Sequence, residues 1–230
     1  MNDPARHLRR RSLGDEAADA LRDMILVGEL RPEQRVTQDE LAATLGVSTM
    51  PVREGLLKLA HEGLVEASPN RSFRIVRHTR EDIRDIYWMH AVLAGELTAR
   101  ACQRQDDDTH LVDRLRANEK PLLAAIAARD TAAMEAANWS FHRDIDRAAG
   151  APRLLLMLRS TLRLIPQHFY ALVKGWAPVS RTGHAAIVDA FARRDGAAAR
   201  SAAIKHVEEA GRLVIAHFSD TGYWRPPGQG

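Results

Sequence analysis

Apolar residues Leu13, Ala17, Leu21, Met24 and Ile25 recur every three or four positions near the start of the chain, with charged residues between them and Gly28 behind. That spacing predicts an amphipathic helix over Leu13–Val27, closed by a residue that tolerates left-handed backbone. The segment Thr37-Gln38-Asp39-Glu40 then offers the hydroxyl and carboxylate of a capping box, in which each side chain satisfies an exposed backbone amide. A second helix starts there and stops after Leu45, where Gly46 turns the chain and Val47 fills the corner between two helices. Ser48 is placed to cap a third helix, and Pro51 falls in its first turn, where a missing N–H costs little. Val52, Leu56 and Leu59 line the inward face of that helix as far as Gly63. Two β-favouring stretches, LVEA and SFRIVR, flank the turn-forming SPNR and predict a hairpin.

From Thr79 onward the periodicity is helical throughout. It predicts helices near 80–104, 108–128, 130–149, 152–174, 180–194 and 196–219, with Gly150 and Pro152, Gly175 and Pro178, and Gly196 as breaks. Six such helices make an antiparallel bundle. The closing YWRPPGQG has no periodic apolar face and reads as a tail. The expected organisation is a flexible basic arm at 1–11, a winged helix-turn-helix at 12–78, an all-α domain at 79–221 and a flexible tail at 222–230, in a mainly α chain.

Composition narrows the class without naming a chemistry. Hydrophobic residues at 45% and charged residues at 27% describe an ordinary globular chain, and aromatics at 5% with abundant Ala and Leu favour helix. Cys102 is the single cysteine, so no internal disulfide forms and a reducing compartment is expected. The first residues lack the apolar core of a signal peptide and no later run is long enough to span a bilayer, which predicts a cytoplasmic protein without a membrane partner. The net charge of +3 adds little, because Met1 to His78 carries 12 basic and 12 acidic residues. Any footprint on nucleic acid must come from placement, with Arg9, Arg10 and Arg11 at one end of this segment and Arg71, Arg74 and Arg77 at the other.

Two helices joined by so tight a turn, with small Ala42 at their crossing, fit a helix-turn-helix, although a helical hairpin used only for packing has the same pattern. A hairpin directly after it is more telling. Its tip can carry Arg71 towards a phosphate or the minor groove while the third helix enters the major groove. The run LGVSTMPVREGLLKLAHEGLVEASPNRSF resembles the winged helix of the GntR family of bacterial transcription regulators, whose usual text is close to LGVSRTPVREAL, then EGLV, then PNRG. The resemblance implies binding of double-stranded operator DNA through Ser48, Thr49, Met50, Arg53, Asn70 and Arg71. Departures are informative. Thr49 stands where an Arg is common, Met50 replaces a Thr, Asp39 replaces an Arg in the second helix, and Ser72 replaces the wing glycine. Thr49 cannot grip a guanine edge through two hydrogen bonds, a loss of about 1–3 kcal/mol in discrimination, whereas Met50 offers an apolar contact to a thymine methyl. The expectation is an operator that differs from the family's commonest sites, the alternative being weakened DNA binding.

In the helical domain, NWSFH places the Asn138 amide one turn before the His142 imidazole, and His184 and His206 fall on two later helices. Imidazoles from separate helices can converge on one ion inside a bundle, but with ten histidines in the chain satisfied core or surface residues explain the pattern equally well. Here the chain resembles the FadR subfamily of GntR regulators with an FCD ligand-binding domain of the six-helix, VanR-like type. That group carries D-x-x-x-H on one helix and single histidines on two later helices, the last two in text similar to GHAAIVDAFARRDGAAARSAAIKH. The resemblance implies a divalent transition metal, zinc or nickel, on Asn138, His142, His184 and His206, with the usual carboxylate replaced by an amide. It further implies a homodimeric repressor gated by a small organic acid that binds at or beside the ion. Where relatives have an Arg that serves anion binding, this chain has His90, which matches that charge only when protonated.

A sensor of the metal itself is the alternative within regulation, and a metal-dependent hydrolase is the alternative outside it. The chain has no H-E-x-x-H, no G-x-S-x-G and no glycine-rich phosphate loop. Asp144 should point to another face from His142, and Asp146 lies a full turn on. The expectation is a regulator and not an enzyme.

Overall fold

The computed structural model describes residues 12–69, 72–161 and 173–224. The basic arm at 1–11, Asn70 and Arg71 of the wing tip, most of the second half of the helix expected at 152–174, and residues 225–230 lie outside them. The chain forms two compact units, one ending at Arg77 and the other spanning His78–Trp224.

The first unit contains α1 (Leu13–Leu26), β1 (Arg35–Thr37), α2 (Gln38–Leu45), α3 (Thr49–His61), β2 (Val65–Ser68) and β3 (Ser72–Ile75). Both α1 and α2 open with a complete capping box, Ser12 with Asp15 and Thr37 with Glu40. Gly46 ends α2 at φ 66°, in the left-handed region that a side chain resists, and so makes the sharp turn into α3. Leu21 and Ile25 of α1, Leu41 of α2, and Val52, Leu56 and Leu59 of α3 are buried together with Phe73 and Ile75 of the sheet. Leu13, expected on the inward face, is instead exposed at the first position of α1. Gly55 brings α3 against α1, since a Cβ there would meet the Ala18 backbone nitrogen at 2.9 Å.

The hairpin is one strand larger than the sequence suggests. β3 lies between β1 and β2, antiparallel to both, with Val36 opposite Phe73 and Val65 opposite Ile75. Ser72, the departure from the wing glycine, is buried here. Its Oγ donates to the Pro69 carbonyl at 2.7 Å and accepts from Arg35 Nε at 2.8 Å, while Arg35 Nη2 also reaches the Pro69 carbonyl at 2.8 Å. A side chain therefore ties the wing to β1 in place of glycine's small size.

The second unit is helical: α4 (Arg80–Gln103), a 3₁₀ turn (Gln105–Asp107), α5 (Leu111–Ala117), α6 (Glu119–Ala128), α7 (Thr131–Ala148), α8 (Pro152–Thr161), α9 (Trp176–Ala192) and α10 (Gly196–Asp220). α4 packs along α10 and also meets α7 and α8, while α9 packs on α10 and α5 on α7 and α9. Leu97, Ala101, Leu111, Leu115, Phe141, Ile145, Ile187, Phe191 and Ala203 fill the space between them. Side-chain oxygens of Thr79, Asp130 and Asp195 cap α4, α7 and α10 by accepting from the third amide beyond.

Three expectations are corrected. The helix expected over 108–128 is two helices meeting at Asn118, because Pro121 lacks the N–H that a continuous helix needs and is tolerated only in a first turn. Asn118 Nδ2 fixes the junction by donating to the Ala137 carbonyl at 3.0 Å. α9 begins at Trp176 rather than 180, with Pro178 inside its first turn and not before it. Tyr223 and Trp224, read from sequence as tail, fold back: Tyr223 stacks on Phe218 at 4.6 Å, and Trp224 Nε1 donates to Ser219 Oγ at 3.0 Å.

Candidate functional site

Two sets of candidate residues occupy the two units. In the first, Ser48, Thr49, Met50 and Arg53 are all exposed at the start of α3, on the side opposite buried Val52, Leu56 and Leu59. Ser48 holds the N-cap position with extended backbone, but its hydroxyl makes no capping bond. The expected cap is thus positional only, and the Oγ is left for another partner. Among the described residues Arg53 has no ion pair, whereas Arg74 pairs with Glu66 at 2.8 Å and Arg77 with Glu33 at 3.1 Å. The predicted footprint from Arg74 and Arg77 is therefore partly neutralised within the fold.

In the second unit, α7, α9 and α10 each contribute one imidazole. His142 Nε2 lies 3.3 Å from His184 Nε2 and 3.3 Å from His206 Nε2, and the ligand atoms of all three fall within 4.8 Å of one another. The packing that aims each ring is specific. Phe141 stacks on His184 with centroids 3.8 Å apart and planes 9° from parallel. His206 lies against the backbone of Gly183, where a Cβ would come within 2.7 Å of its Cγ. His206 Nδ1 is buried without a hydrogen-bond partner, so Nε2 is the nitrogen this ring offers to the cluster.

Burial holds all three rings uncharged. It pushes His206 down to about 4 and His142 and His184 well below the ordinary histidine range, with neighbouring rings adding to the effect at the latter two. Nitrogen lone pairs of neutral imidazoles are therefore available at pH 7. A single ring proton can serve only one of the two close contacts at His142 Nε2, which leaves a second lone-pair contact unsatisfied. A cation at the centre removes that conflict. The two separations of 3.3 Å at His142 Nε2 also match the edge of a tetrahedron of nitrogens each ~2.0–2.1 Å from zinc, which is roughly 3.3–3.4 Å. The residues present fit a divalent transition metal.

Asn138 shares a face of α7 with His142, and its Oδ1 accepts from Ser180 Oγ of α9 at 3.3 Å. Both residues line a cavity of about 80 Å³ together with His90, Asp146, Trp139, Trp176 and His206. His90 does reach this cavity, but without charge. Burial, reinforced by His206, pushes it down to about 4, and its Nδ1 lies 2.9 Å from Thr161 Oγ1. Thr161 Oγ1 already donates to the Leu158 carbonyl at 2.7 Å, so the His90 Nδ1–H donates to it. The cationic role considered for His90 thus has no support in its surroundings.

Asp146, set aside in the sequence because it lies one turn beyond His142, opens on the same cavity. Burial raises its carboxyl to about 6, against a lesser opposing effect of Arg159. The i, i+4, i+8 spacing of Asn138, His142 and Asp146 was the signal available for it. His184 also borders a second cleft of about 270 Å³ between α5, α6, α7 and α9, at whose rim Arg181 pairs with Glu119 at 3.5 Å.

Comparison with known proteins joins the two halves. The family described as bacterial regulatory proteins, gntR family, matches residues 13–75, and the FCD domain matches residues 85–209, more than half of the chain. An HTH-type transcriptional regulator of Mycobacterium tuberculosis is 27% identical over 217 residues, 93% of this chain and 85% of the relative. A probable D-xylose utilization operon transcriptional repressor of Paenarthrobacter nicotinovorans is 26% identical over 212 residues, 90% of this chain and 91% of that one. Among solved structures, McbR/YncC of E. coli superposes with a TM-score of 0.67 at 20% identity, covering 91% of this chain and all of the other. The regulator Lar of Listeria monocytogenes gives 0.62 at 16% identity, covering 90% and 99%. Both of these sequence relatives are named as transcriptional regulators, and with both domain types in one chain, in this order, the protein belongs to the GntR family of bacterial transcriptional regulators, in the group that carries an FCD domain.

Proposed function

We propose that this regulator is a cytoplasmic homodimeric repressor whose affinity for operator DNA is set by a small carboxylic-acid metabolite bound at or beside a divalent metal, zinc or nickel. His142, His184 and His206 would hold the ion, with Asn138 as an uncharged oxygen donor. The observation that carries this reading is the meeting of three uncharged imidazoles from three helices, His184 and His206 buried and His142 partly so, at the edge of a cavity. When bound, the ion supplies coordination positions that a carboxylate oxygen can take.

Ser48, Thr49, Met50 and Arg53 of α3, with Asn70 and Arg71 of the wing, would read the duplex. A two-fold reader of paired half-sites needs a dimer. Exposed Trp88, Met89 and Val92 on α4, beside exposed Leu156 and Met157 on the adjoining α8, supply an apolar surface of the kind a dimer buries. The D-xylose relative, named as a repressor, supports the direction of control. An effector changes DNA affinity only by binding the DNA-competent and DNA-incompetent states unequally.

The test is an operator obtained by binding-site selection, then titrated by fluorescence anisotropy with metal-free protein, zinc- or nickel-loaded protein, and loaded protein with a panel of small acids. Loaded protein should bind tightly, and one class of acid should weaken binding roughly 5- to 150-fold. His206→Ala should bind the operator but no longer respond. No response to any acid, with affinity following metal alone, would replace this reading with a sensor of the metal ion.

A further inference from the structure

Among the described residues Asp146 is the one carboxylate lining the histidine cavity, and the metal reading leaves it without a task. It stands one turn beyond His142 on α7, as Asn138 stands one turn before, so ligand and carboxylate share a helix face with Cβ atoms ~5–6 Å apart. It is not part of the ligand cluster, which among the described residues consists of the three imidazoles and no carboxylate. Among the described residues it also makes no hydrogen bond and no ion pair. Arg159 acts on it only through its field, too weakly to offset burial. Of the polar groups described in the lining, His90 is uncharged with its Nδ1 committed to Thr161, and Thr98 Oγ1 donates to the Ala94 carbonyl. Tyr87, Trp139, Ile145, Leu158, Trp176 and Val207 also line the cavity, and none of them carries a charge.

The cavity lining therefore holds two chemically opposite features. The nitrogen cluster suits a cation and through it a carboxylate. Asp146 is a carboxylate that the described residues leave without a counter-charge in contact, and it calls for a cationic donor. At about 80 Å³ the cavity is small and favours a small ligand over a bulky one.

We infer that Asp146 determines the specificity of this cavity and that the effector is a small zwitterionic amino acid, its carboxylate towards the histidine cluster and its ammonium group on Asp146. This rests on the proposed effector reading and narrows it. A dicarboxylic acid would set a second negative charge against Asp146 and is rejected on that account. A hydroxy acid of the same size can donate a hydrogen bond but leaves the charge unneutralised, and binds more weakly.

The test is calorimetric titration of nickel-loaded full-length protein at pH 7.5 with alanine, its hydroxy counterpart lactate, and malonate. Metal content is measured after dialysis, so that stripping of the ion is distinguished from binding. Alanine should bind at least ten-fold more tightly than lactate or malonate. In Asp146→Asn, checked for folding by circular dichroism, alanine should lose at least ten-fold while malonate gains, and Asp146→Glu should keep the wild-type order. The same order in wild type and Asp146→Asn, or malonate as the tightest wild-type ligand, overturns the assignment while leaving an acid effector in place. Absence of binding by all three acids to both proteins overturns this inference, while the effector reading falls only if the wider acid panel leaves operator affinity unchanged. Should Asp146→Asn not fold, the wild-type order of the three ligands decides alone.

Discussion

Replacing Gly183 with alanine adds one methyl group to α9 and removes no ligand, yet it should dismantle the histidine cluster. The new Cβ would lie 2.7 Å from His206 Cγ and 3.0 Å from its Cβ, and closer still to Nδ1. Ordinary carbon contacts are ~3.5–4.0 Å, so the ring must retreat by roughly 1 Å. Ligand distances in metal sites are held to about ±0.2 Å, so a displaced His206 no longer meets the other two nitrogens at one point. Disturbing a group that orients a ligand typically costs about 10- to 100-fold in metal affinity, which is ~1.4–2.8 kcal/mol. Overpacking should cost a further 1–3 kcal/mol or so in stability of the metal-free domain. Competition with a chromogenic zinc chelator measures the first effect, and urea denaturation of the metal-free protein measures the second. Wild-type zinc affinity in a folded Gly183→Ala variant would refute the claim that this close contact aims His206.

Other perturbations separate the two units. Gly55→Ala sets a Cβ 2.9 Å from the Ala18 backbone nitrogen, an obstacle that cannot rotate away, so DNA binding should be lost while zinc binding survives; a melt by circular dichroism and a zinc titration check this. Arg53→Ala removes an exposed cation of α3 that has no ion pair among the described residues; it should cost about 1–3 kcal/mol of operator affinity and relax one base pair of the selected site, and unchanged selection would refute its role. Stability of the metal-free protein should fall on acidification. The unfolded chain protonates its histidines near 6.5, while His90 and His206 resist until about 4 in the fold and His142 and His184 resist further. Stability present above pH 6.5 is therefore lost between about 6.5 and 4, by up to ~3 kcal/mol for a shift of the size seen at His206. Asp146, raised to about 6, opposes this over part of the range by holding its proton in the fold. Equal urea midpoints at pH 7.5 and 5 would contradict the buried, uncharged cluster.

What the sequence conveyed followed from local signals. The Thr37 and Glu40 capping box, Gly46 at positive φ, and the hairpin around SPNR are each written in a few adjacent residues whose chemistry has few other uses. β1 went unread because three residues are too short to show alternation, and its partner β3 lies more than thirty residues away. Asn118 was missed as a break because apolar periodicity runs on either side of it, and only Pro121 betrays the new helix. The histidines show the limit most clearly. NWSFH gives one turn of α7, but no spacing along the chain states that His184 and His206 come to meet His142; family resemblance supplied that expectation, and tertiary packing at Phe141 and Gly183 realises the convergence. Charge state was the other gap. His90 looked like a stand-in for a cation, and only burial reveals it as neutral, just as only burial reveals the raised carboxyl of Asp146 in the cavity.

Metal stoichiometry tests the account most directly. Protein stripped with chelator and dialysed at pH 7.5 against buffered micromolar zinc should take up one ion per chain, and the folded His184→Ala variant should take up less than a tenth as much. Equal uptake by both, or none by the wild type with either zinc or nickel, would contradict the histidine cluster as a metal centre.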